Sequence, residues 1–357
     1  MRPTGLRVMY WPNEPAHLYP DFTQAGGRDA FETMAANGTI SALEIYSYRV
    51  VRARFSTIAE FERAALGAIR AFSPDILFVQ HLWGTDLSEG LWRTIRQELP
   101  QITLVYHEGD PFDRRVKRID QATIAGLRHA HLVIACGLGS LAEILGEHSS
   151  TPVSWMPHCF VRSRFAARDP AAAIKTHDMV MIGNRGNRRR LKLLYVPGGR
   201  RRAEFATRLS ASYGGRFALY GGGWSHLTTS SRGNLPFFQQ EEAIQSGRIT
   251  VNWDHFDGID YYFSDRLPIS LAAGVPHVTS WHVGYDHIFA GCPGLYACKT
   301  VDEALETCRW LISRSDDDLL AEGLAAKQWV FDRMEALQVF RNGFEQAART
   351  HRRLHAS

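Results

Sequence analysis

The sequence predicts an α/β protein of two domains in tandem, each built on a parallel, doubly wound sheet. Three observations predict it. The chain of 357 residues is too long for one small domain and suits two that each bury a core. Strand-like apolar runs alternate with helix-periodic segments in two successive series, the rhythm of parallel sheets wound with helices. Between the series lies FVRSRFAARDPAAAIKTHD, polar, Ala-rich and without clear period, which reads as an interdomain linker.

The first series opens with LRVMYW (6–11) as a strand. FSTIAEFERAALGAIRAF has helical periodicity, and SPDILFVQHLW supplies a Pro-Asp entry into a buried strand. SEGLWRTIRQELP is a helix ended by Pro100, QITLVYHEGDP a strand running into a polar loop, DQATIAGLRHA a helix leading to strand HLVIAC, and VSWMPH a short strand. The second series runs from strand MVMIG through a basic helix region, strand RFALYGG, helix QQEEAIQSG, strand ITVNW, helix SDRLPISLAAG, strands PHVTSW and LYACK, to helix VDEALETCRWLISR. The tail from Asp316 to about Arg349 is strongly helical and is expected to pack back on the first domain. The domains are therefore drawn at 1–165 and 176–335, with a C-terminal helix and tail over 336–357.

Composition narrows the class. With 45% hydrophobic and 22% charged residues the chain is an ordinary soluble globular protein, and no run approaches the roughly 20 apolar residues of a membrane span. MRPTGLRVMYWP lacks the long apolar region of a signal peptide, so the expected location is the cytoplasm. Cys136, Cys159, Cys292, Cys298 and Cys308 are scattered and odd in number, which suits reduced thiols better than disulfides or zinc. The net charge of +4 is modest, but NRGNRRRLK and GGRRR concentrate cations between residues 184 and 202, either as a local anion site or as a solvated basic helix.

In open parallel sheets ligands sit beyond the carboxyl ends of the strands. The loops there in the second domain are Gly183-Asn184-Arg185-Gly186-Asn187-Arg188, Gly221-Gly222-Gly223-Trp224, Trp253-Asp254-His255 and the helix start Ser264-Asp265-Arg266. Glycines let a phosphate approach the backbone, arginines offer planar donor forks, and a helix N-terminus adds partial positive charge. Together they would hold a diphosphate without a metal, although the Gly triplet alone is equally a turn and the Arg run a solvated face.

Three stretches carry a family resemblance: MIGNRGNRRR, a strand ending in Gly before an arginine-rich helix start; the Asn-Leu-Pro segment before QQEEAIQSGRITVNW; and FSDRLPISLAAGVPHVTSW (263–281) followed by GYDHIF and VDEALE. On these the second domain resembles the C-terminal domain of GT-B glycosyltransferases, in particular the spore-maturation CgeB-like group. The first domain is similar more loosely, through VYHEGDP and the connector WMPHCFVRSRF. The resemblance implies two Rossmann-like domains and transfer of a sugar from a nucleotide diphosphate donor, bound by the second domain, to an acceptor on the first, in the cleft between them. No cofactor beyond the donor itself is expected; the modest net charge and lack of a nucleic-acid-binding motif argue against a nucleic-acid partner, and the lack of a long apolar run against membrane insertion. Carried over, Arg188 or a neighbouring arginine and Arg266 would neutralise the pyrophosphate, Gly183, Gly221 and Gly222 would allow its approach with Asn184 beside them, and Asn234 and Leu235 would meet the base. The pattern departs at one point: neighbouring retaining enzymes carry two glutamates eight positions apart where this chain has Tyr261 and Ile269. Asp265, four residues before Ile269 and on the same helix face, is expected either to receive the ribose hydroxyls in their place or to cap the helix.

For proton transfer the candidates are His107, Glu108 and Asp110 of HEGDP, with Asp110 favoured as a base on the acceptor hydroxyl or, alternatively, as a turn residue before Pro111. His17 and Glu14 are weaker candidates for acceptor contact. Asp316-Asp317-Asp318 opens a helix and reads as dipole complement rather than a metal site. His129 and His131 lack ligand partners at metal spacing, and Trp253, Phe256, Tyr261, Tyr262 and Phe263 either line a sugar cleft or pack. Two rival functions stand beside glycosyl transfer. One is a sugar-nucleotide epimerase or hydrolase on the same scaffold; the other is a non-catalytic binder of nucleotide or nucleic acid, which the modest charge disfavours.

Overall fold

Strand β1 (Arg7–Trp11) takes parallel neighbours on both edges, β2 (Ala42–Ile45) and β3 (Ile76–Gln80), and from β3 the sheet continues through β4 (Thr103–Glu108), β5 (Leu132–Ala135) and, past the separate two-residue strand β6 (Leu138–Gly139), β7 (Val153–Trp155). The computed structural model describes residues 5–17, 25–188 and 191–356, the side chains of Ala25, Asn187, Arg188 and residues 191–194 excepted. Every residue of β3, β4 and β5 is buried, as expected of strands covered on both faces. Around this sheet run α1 (Ala25–Ala36), α2 (Tyr48–Arg52), α3 (Ile58–Phe72), α4 (Glu89–Glu98), α5 (Gln121–His129) and α6 (Ser140–Gly146). The Thr57 side chain and Glu60 form a capping box at the start of α3, and Asp120 caps α5 by accepting from the Thr123 N–H. Helices α1 and α2 and strand β2 are absent from the sequence reading. Their segments are short and interrupted by Gly and Ser, which blurs both periods.

The second sheet starts from β8 (His177–Ile182). Beside it, β9 (Asn187–Arg188) and β10 (Leu191–Tyr195) form a separate antiparallel pair. The six-stranded sheet has β8 between β11 (Phe217–Tyr220) and β13 (Gly247–Val251), with β12 (Ser231–Gly233) outside β11; beyond β13 lie β15 (His277–Ser280) and β16 (Leu295–Cys298), and the two-residue β14 (Ile259–Asp260) stays outside the sheet. Its helices are α7 (Arg162–Phe165), α8 (Gly199–Tyr213), α9 (Gln240–Gln245), α10 (Arg266–Ala272), α11 (Tyr285–Ile288), α12 (Val301–Ser313) and α13 (Asp316–Arg333). Its core gathers Met179, Met181, Phe205, Leu209, Phe217, Leu219, Trp224 and Val278, all fully buried.

The chain divides into two compact units, one of Met1–Arg114, Arg118–Pro157 and Ala336–Ser357, the other of Arg115–Lys117 and His158–Glu335. The expected α/β architecture of two parallel, helix-covered sheets is what forms. The final helix α14 (Ala336–His355) packs on the first unit, as expected: Phe340 meets the rings of Tyr10 at 6.4 Å, Phe31 at 6.1 Å and His107 at 6.1 Å. Gly27 of α1 permits the approach, since a Cβ there would lie 2.1 Å from Tyr10 Oη and 3.0 Å from Phe340 Cζ.

Three sequence readings are refined. The helical tail from Asp316 is two helices, broken at Met334–Glu335, with α13 in the second unit and α14 in the first. The stretch read as a linker contributes α7 and the buried Phe160 and Phe165 to the second unit, where Phe160 packs 4.7 Å from Phe331. The arginine-rich segment after Gly183 does not start a helix: it forms the β9–β10 pair, and α8 begins only at Gly199. A helix from Asn184 would have had to pass through Gly186, which stands at φ 74°, and end against Pro197.

Candidate functional site

In the second unit the chain lays β11 and β12 on one side of β8 and then crosses to β13 on the other, so the point where the winding reverses lies between β8 and β13. Ligand crevices form beyond the carboxyl ends of strands at such a point. The loops there are those after Ile182 and Val251. Gly183, at φ 155°, donates its N–H to the Tyr220 carbonyl at 2.8 Å, while its own carbonyl accepts from Trp224 Nε1 at 2.7 Å. Gly221, at φ 126°, packs so closely that a Cβ on it would sit 2.4 Å from the Gly183 carbonyl oxygen. These two glycines thus serve the contact between loops. Gly222 N donates to Asn184 Oδ1 at 2.8 Å, and a Cβ on Gly222 would lie 3.7 Å from Asn234 Oδ1, so Asn184, Gly222 and the exposed Asn234 share one mouth, with the half-buried Leu235 next in the chain. The side chain of Arg188 lies outside the described residues. Its neighbour Arg185 is engaged locally, with Nη1 2.8 Å from His226 Nε2 and its guanidinium over the Tyr195 ring.

A residue that the sequence reading held only as part of the GGRRR cluster occupies the centre. Arg202 shares the inward face of α8 with Phe205, Ala206 and Leu209 and is 3% exposed. Its Nη1 donates to Asn252 Oδ1 at 2.7 Å and to the Trp253 carbonyl at 2.6 Å, while its Nη2 fills the space above Gly183, 1.8 Å from where a Cβ would be. Its Nε has no hydrogen-bond partner, and among the described residues Arg202 forms no ion pair. Burial, and then the like charge of Arg266, push its pKa down to about 9. A guanidinium so placed is an incompletely compensated buried cation.

Asn252 connects this cation to the rest of the crevice. Its Nδ2 donates to Asp254 Oδ1 at 2.7 Å and to Ser264 Oγ at 3.2 Å. Asp254 is 2% exposed and stands 3.2 Å from His282 Nε2; burial raises its carboxyl, but His282, Ser264 and Arg202 more than offset this and hold it low. His255 Nε2 lies 2.7 Å from the Asn184 carbonyl, and burial, with Arg202 next, pushes its pKa down to about 3, so it serves as a neutral donor. Arg266 opens α10 paired with the Asp265 carboxylate. Asp265 itself is in helical conformation, at φ −54° and ψ −20°, and its side chain makes no capping hydrogen bond. Ile269 is 5% exposed and lines a small cavity together with Val180, Ile182 and Ile244. Tyr261 stands at φ 58° with its ring against Gly284. Trp253, Phe256, Tyr262 and Phe263 are buried, which favours packing over a sugar-lining role.

The first unit places HEGDP differently from expectation. His107 turns under α14 with Nδ1 3.0 Å from Gln80 Nε2, away from the other two. Glu108 is wholly buried and accepts from the Tyr106 hydroxyl and, at 2.8 Å, the Asp110 N–H. Its Oε1 lies 2.6 Å from Nδ1 of His81, a residue the sequence reading missed. His81 follows β3 in left-handed conformation, at φ 49°, which a non-glycine residue adopts at a cost. The Tyr48 hydroxyl donates to its carbonyl at 2.6 Å, and its Nε2 is 3.9 Å from Oδ2 of Asp110, whose side chain is 56% exposed. Glu108, His81 and Asp110 thus form one constellation in which Glu108 is sealed off, the His81 side chain is 10% exposed and Asp110 is open to solvent. Glu14 is buried in an ion pair with Arg28 at 2.7 Å, while His17 is exposed.

Asp316, Asp318, His129 and His131 sit in local helix-end, ion-pair and backbone contacts. Ser315 caps α13 by accepting from the Asp318 N–H, and Asp316 pairs with Arg248 at 2.5 Å. His129 lies 3.5 Å from Glu89, and His131 accepts from the Leu104 N–H at 2.9 Å. Among the described residues no three His, Cys, Asp or Glu side chains gather as metal ligands, the five cysteines are free thiols, and no helix is long and apolar enough to cross a membrane.

Two parallel six-stranded sheets, each covered by helices, are the GT-B architecture, a class of α/β protein with two Rossmann-like domains. Particular solved structures share it along nearly their whole length. The chain is similar to sucrose-phosphate synthase from Thermosynechococcus elongatus, with 12% identity over 95% of this chain and 98% of that one and a TM-score of 0.61. It is similar to HepE from Anabaena in complex with UDP and glucose, at 11% identity, 96% and 99% coverage and a TM-score of 0.55. A glycosyltransferase from Rickettsia africae has 10% identity, 97% and 98% coverage and a TM-score of 0.55. At these identities the likeness is one of fold. No protein-family model and no curated protein sequence matches the chain.

Proposed function

We propose that this chain is a glycosyltransferase that draws its sugar from a nucleotide diphosphate held at the crevice of the second unit. The observation that carries the reading is Arg202: a buried guanidinium whose Nε has no hydrogen-bond partner and which forms no ion pair among the described residues, at the winding reversal of the second sheet. A pyrophosphate is the anion such a cation suits, and Arg266 at the start of α10 is a second cation for it. Charge developing on the leaving diphosphate is the electrostatic problem of glycosyl transfer, and cations fixed in advance answer it without a metal. The fold neighbour solved with UDP and glucose supports UDP as the nucleotide. Asn234 and Leu235 are assigned to the base, and Asp265 to the ribose. On the first unit, which takes the acceptor, His81 is the general base, its imidazole oriented by Glu108. Within the fold, the Asn-Leu-Pro segment and FSDRLPISLAAGVPHVTSW support the CgeB-like group. The free thiols support a reducing cytoplasm as its location.

Titration calorimetry of UDP against the protein and its Arg202→Met variant tests the donor site. The wild type should bind, and at 100 times the dissociation constant UDP should stabilise it by about 2.7 kcal/mol. The folded variant should lose at least about tenfold in affinity. Equal affinities would refute the assignment. Release of free sugar from a bound UDP-sugar in the absence of any acceptor, as fast as in its presence, would favour a hydrolase.

A further inference from the structure

The first sheet reverses its winding as well: β2 lies on one side of β1, and the chain then crosses to β3 on the other. At the carboxyl ends of these two strands lies a cavity of about 210 Å³. The loop after β1 contributes Pro15, Ala16 and His17, the loop after β3 contributes Gly84 to Leu87, and Tyr48, Arg49, Arg52 and Phe61 complete the wall. At roughly 30 Å³ per water it holds about seven waters' worth of volume, the scale of a single sugar ring rather than a nucleotide.

The charges of the wall do not cancel. Arg52 is matched by Asp86 at 2.6 Å, with its third nitrogen on the Phe55 carbonyl at 2.9 Å. Arg49 has no carboxylate partner among the described residues. Its Nε donates to Tyr48 Oη at 3.1 Å and its Nη2 to the Trp83 carbonyl at 2.6 Å, while its Nη1 makes no hydrogen bond among the described residues. The Tyr48 hydroxyl and the His81 and Trp83 carbonyls therefore hold the guanidinium in place with one edge unused, which lowers the entropy lost when that edge meets an anion. The Asp86 carboxylate and the Thr85 hydroxyl provide acceptors for hydroxyl groups, and Tyr48 and Phe61 provide apolar walls. The same Tyr48 hydroxyl donates to the His81 carbonyl, so this wall is built onto the residue that carries the Glu108 pair.

We propose that this cavity binds a small polyhydroxylated anion, a hexose bearing phosphate or carboxylate, with Arg49 taking the anionic group. Its role as the acceptor site rests on the glycosyltransferase reading above; the binding itself does not.

Calorimetry on the full chain without donor tests it, with glucose 6-phosphate, glucuronate, glucose and inorganic phosphate as probes. At least one of the charged hexoses should bind about tenfold or more tighter than glucose and tighter than inorganic phosphate, and which of the two it is separates phosphate from carboxylate. Arg49→Gln should erase the preference over glucose. Because Arg49 also braces the 81–83 backbone, Ala16→Trp provides the second variant: it fills the cavity without removing a hydrogen bond, and should abolish binding with an unchanged melting temperature. Equal affinity for charged and neutral hexose, inorganic phosphate binding as well as any hexose, or undiminished binding in Ala16→Trp would each overturn the proposal. UDP titrated into the same samples keeps the two readings apart, since a protein that binds the charged hexose but not UDP fails as a transferase while keeping this site.

Discussion

His81 Nδ1 stands 2.6 Å from Glu108 Oε1 across adjacent strands, 27 positions apart in sequence. Glu108 is inaccessible to solvent, so it acts on a substrate only through the imidazole. His81→Gln should lower kcat by a factor on the order of 100 or more with donor affinity unchanged, because a base contributes in the transition state alone. Asp110→Asn, at an exposed carboxylate, should cost less than about tenfold. Steady-state kinetics on both variants check the order, and a larger loss in Asp110→Asn would return the base to Asp110.

Gly183 and Gly222 should respond oppositely to alanine. A Cβ on Gly183 would meet Arg202 Nη2 at 1.8 Å with the backbone at φ 155°, whereas on Gly222 the nearest atom is 3.4 Å away. Gly183→Ala should destabilise by about 2 kcal/mol or more and weaken UDP, and Gly222→Ala should leave the fold within about 0.5 kcal/mol. Urea unfolding of the two variants provides the comparison.

Asp265 makes no capping bond, so its removal leaves the start of α10 unharmed. Asp265→Asn breaks only a half-exposed pair with Arg266 and should change stability by less than about 1 kcal/mol. If Asp265 receives the ribose, the variant should lose the preference for UDP over its 2′-deoxy counterpart. Retention of that preference would leave Asp265 as no more than a partner for Arg266.

Acid should unfold the protein early. Burial pushes His277 down to about 4, and burial with Arg202 pushes His255 down to about 3, against an ordinary value of 6.5. Between those values the unfolded chain binds protons that the folded one refuses, so this stability is present above pH 6.5 and falls as pH drops towards 4. The urea midpoint should decline from pH 7 to pH 5, and less steeply in His277→Gln. A midpoint flat over that range would contradict the assignment.

The strands and most helices were legible because strands buried on both faces are unbroken apolar runs, as in ILFVQ and TLVYHE. The β9–β10 pair was not, since a run of arginines carries neither period. Arg202 lay in plain view within GGRRR, but only the phase of α8, with Phe205 and Leu209 one and two turns on, turns that arginine inward and leaves Arg200 and Arg201 outside. His81 gave no local signal, because its partner reaches it only through the pairing of β3 with β4. The absence of glutamates at Tyr261 and Ile269 was readable; that Ile269 borders a small buried cavity with Ile182 and Ile244 required the fold.

Because α14 belongs to the first unit but is encoded after residues 158–335, a growing chain cannot finish its first domain when that domain's sheet has been made. Tyr10, Phe31 and His107 wait for Phe340, about ten seconds at the fastest usual synthesis rate of about 20 residues per second. During that interval a ribosome-bound intermediate exposes an aromatic groove, a ready client for chaperones. A nonsense mutation between residues 158 and 335 should therefore produce an aggregating fragment rather than a stable, merely shortened protein.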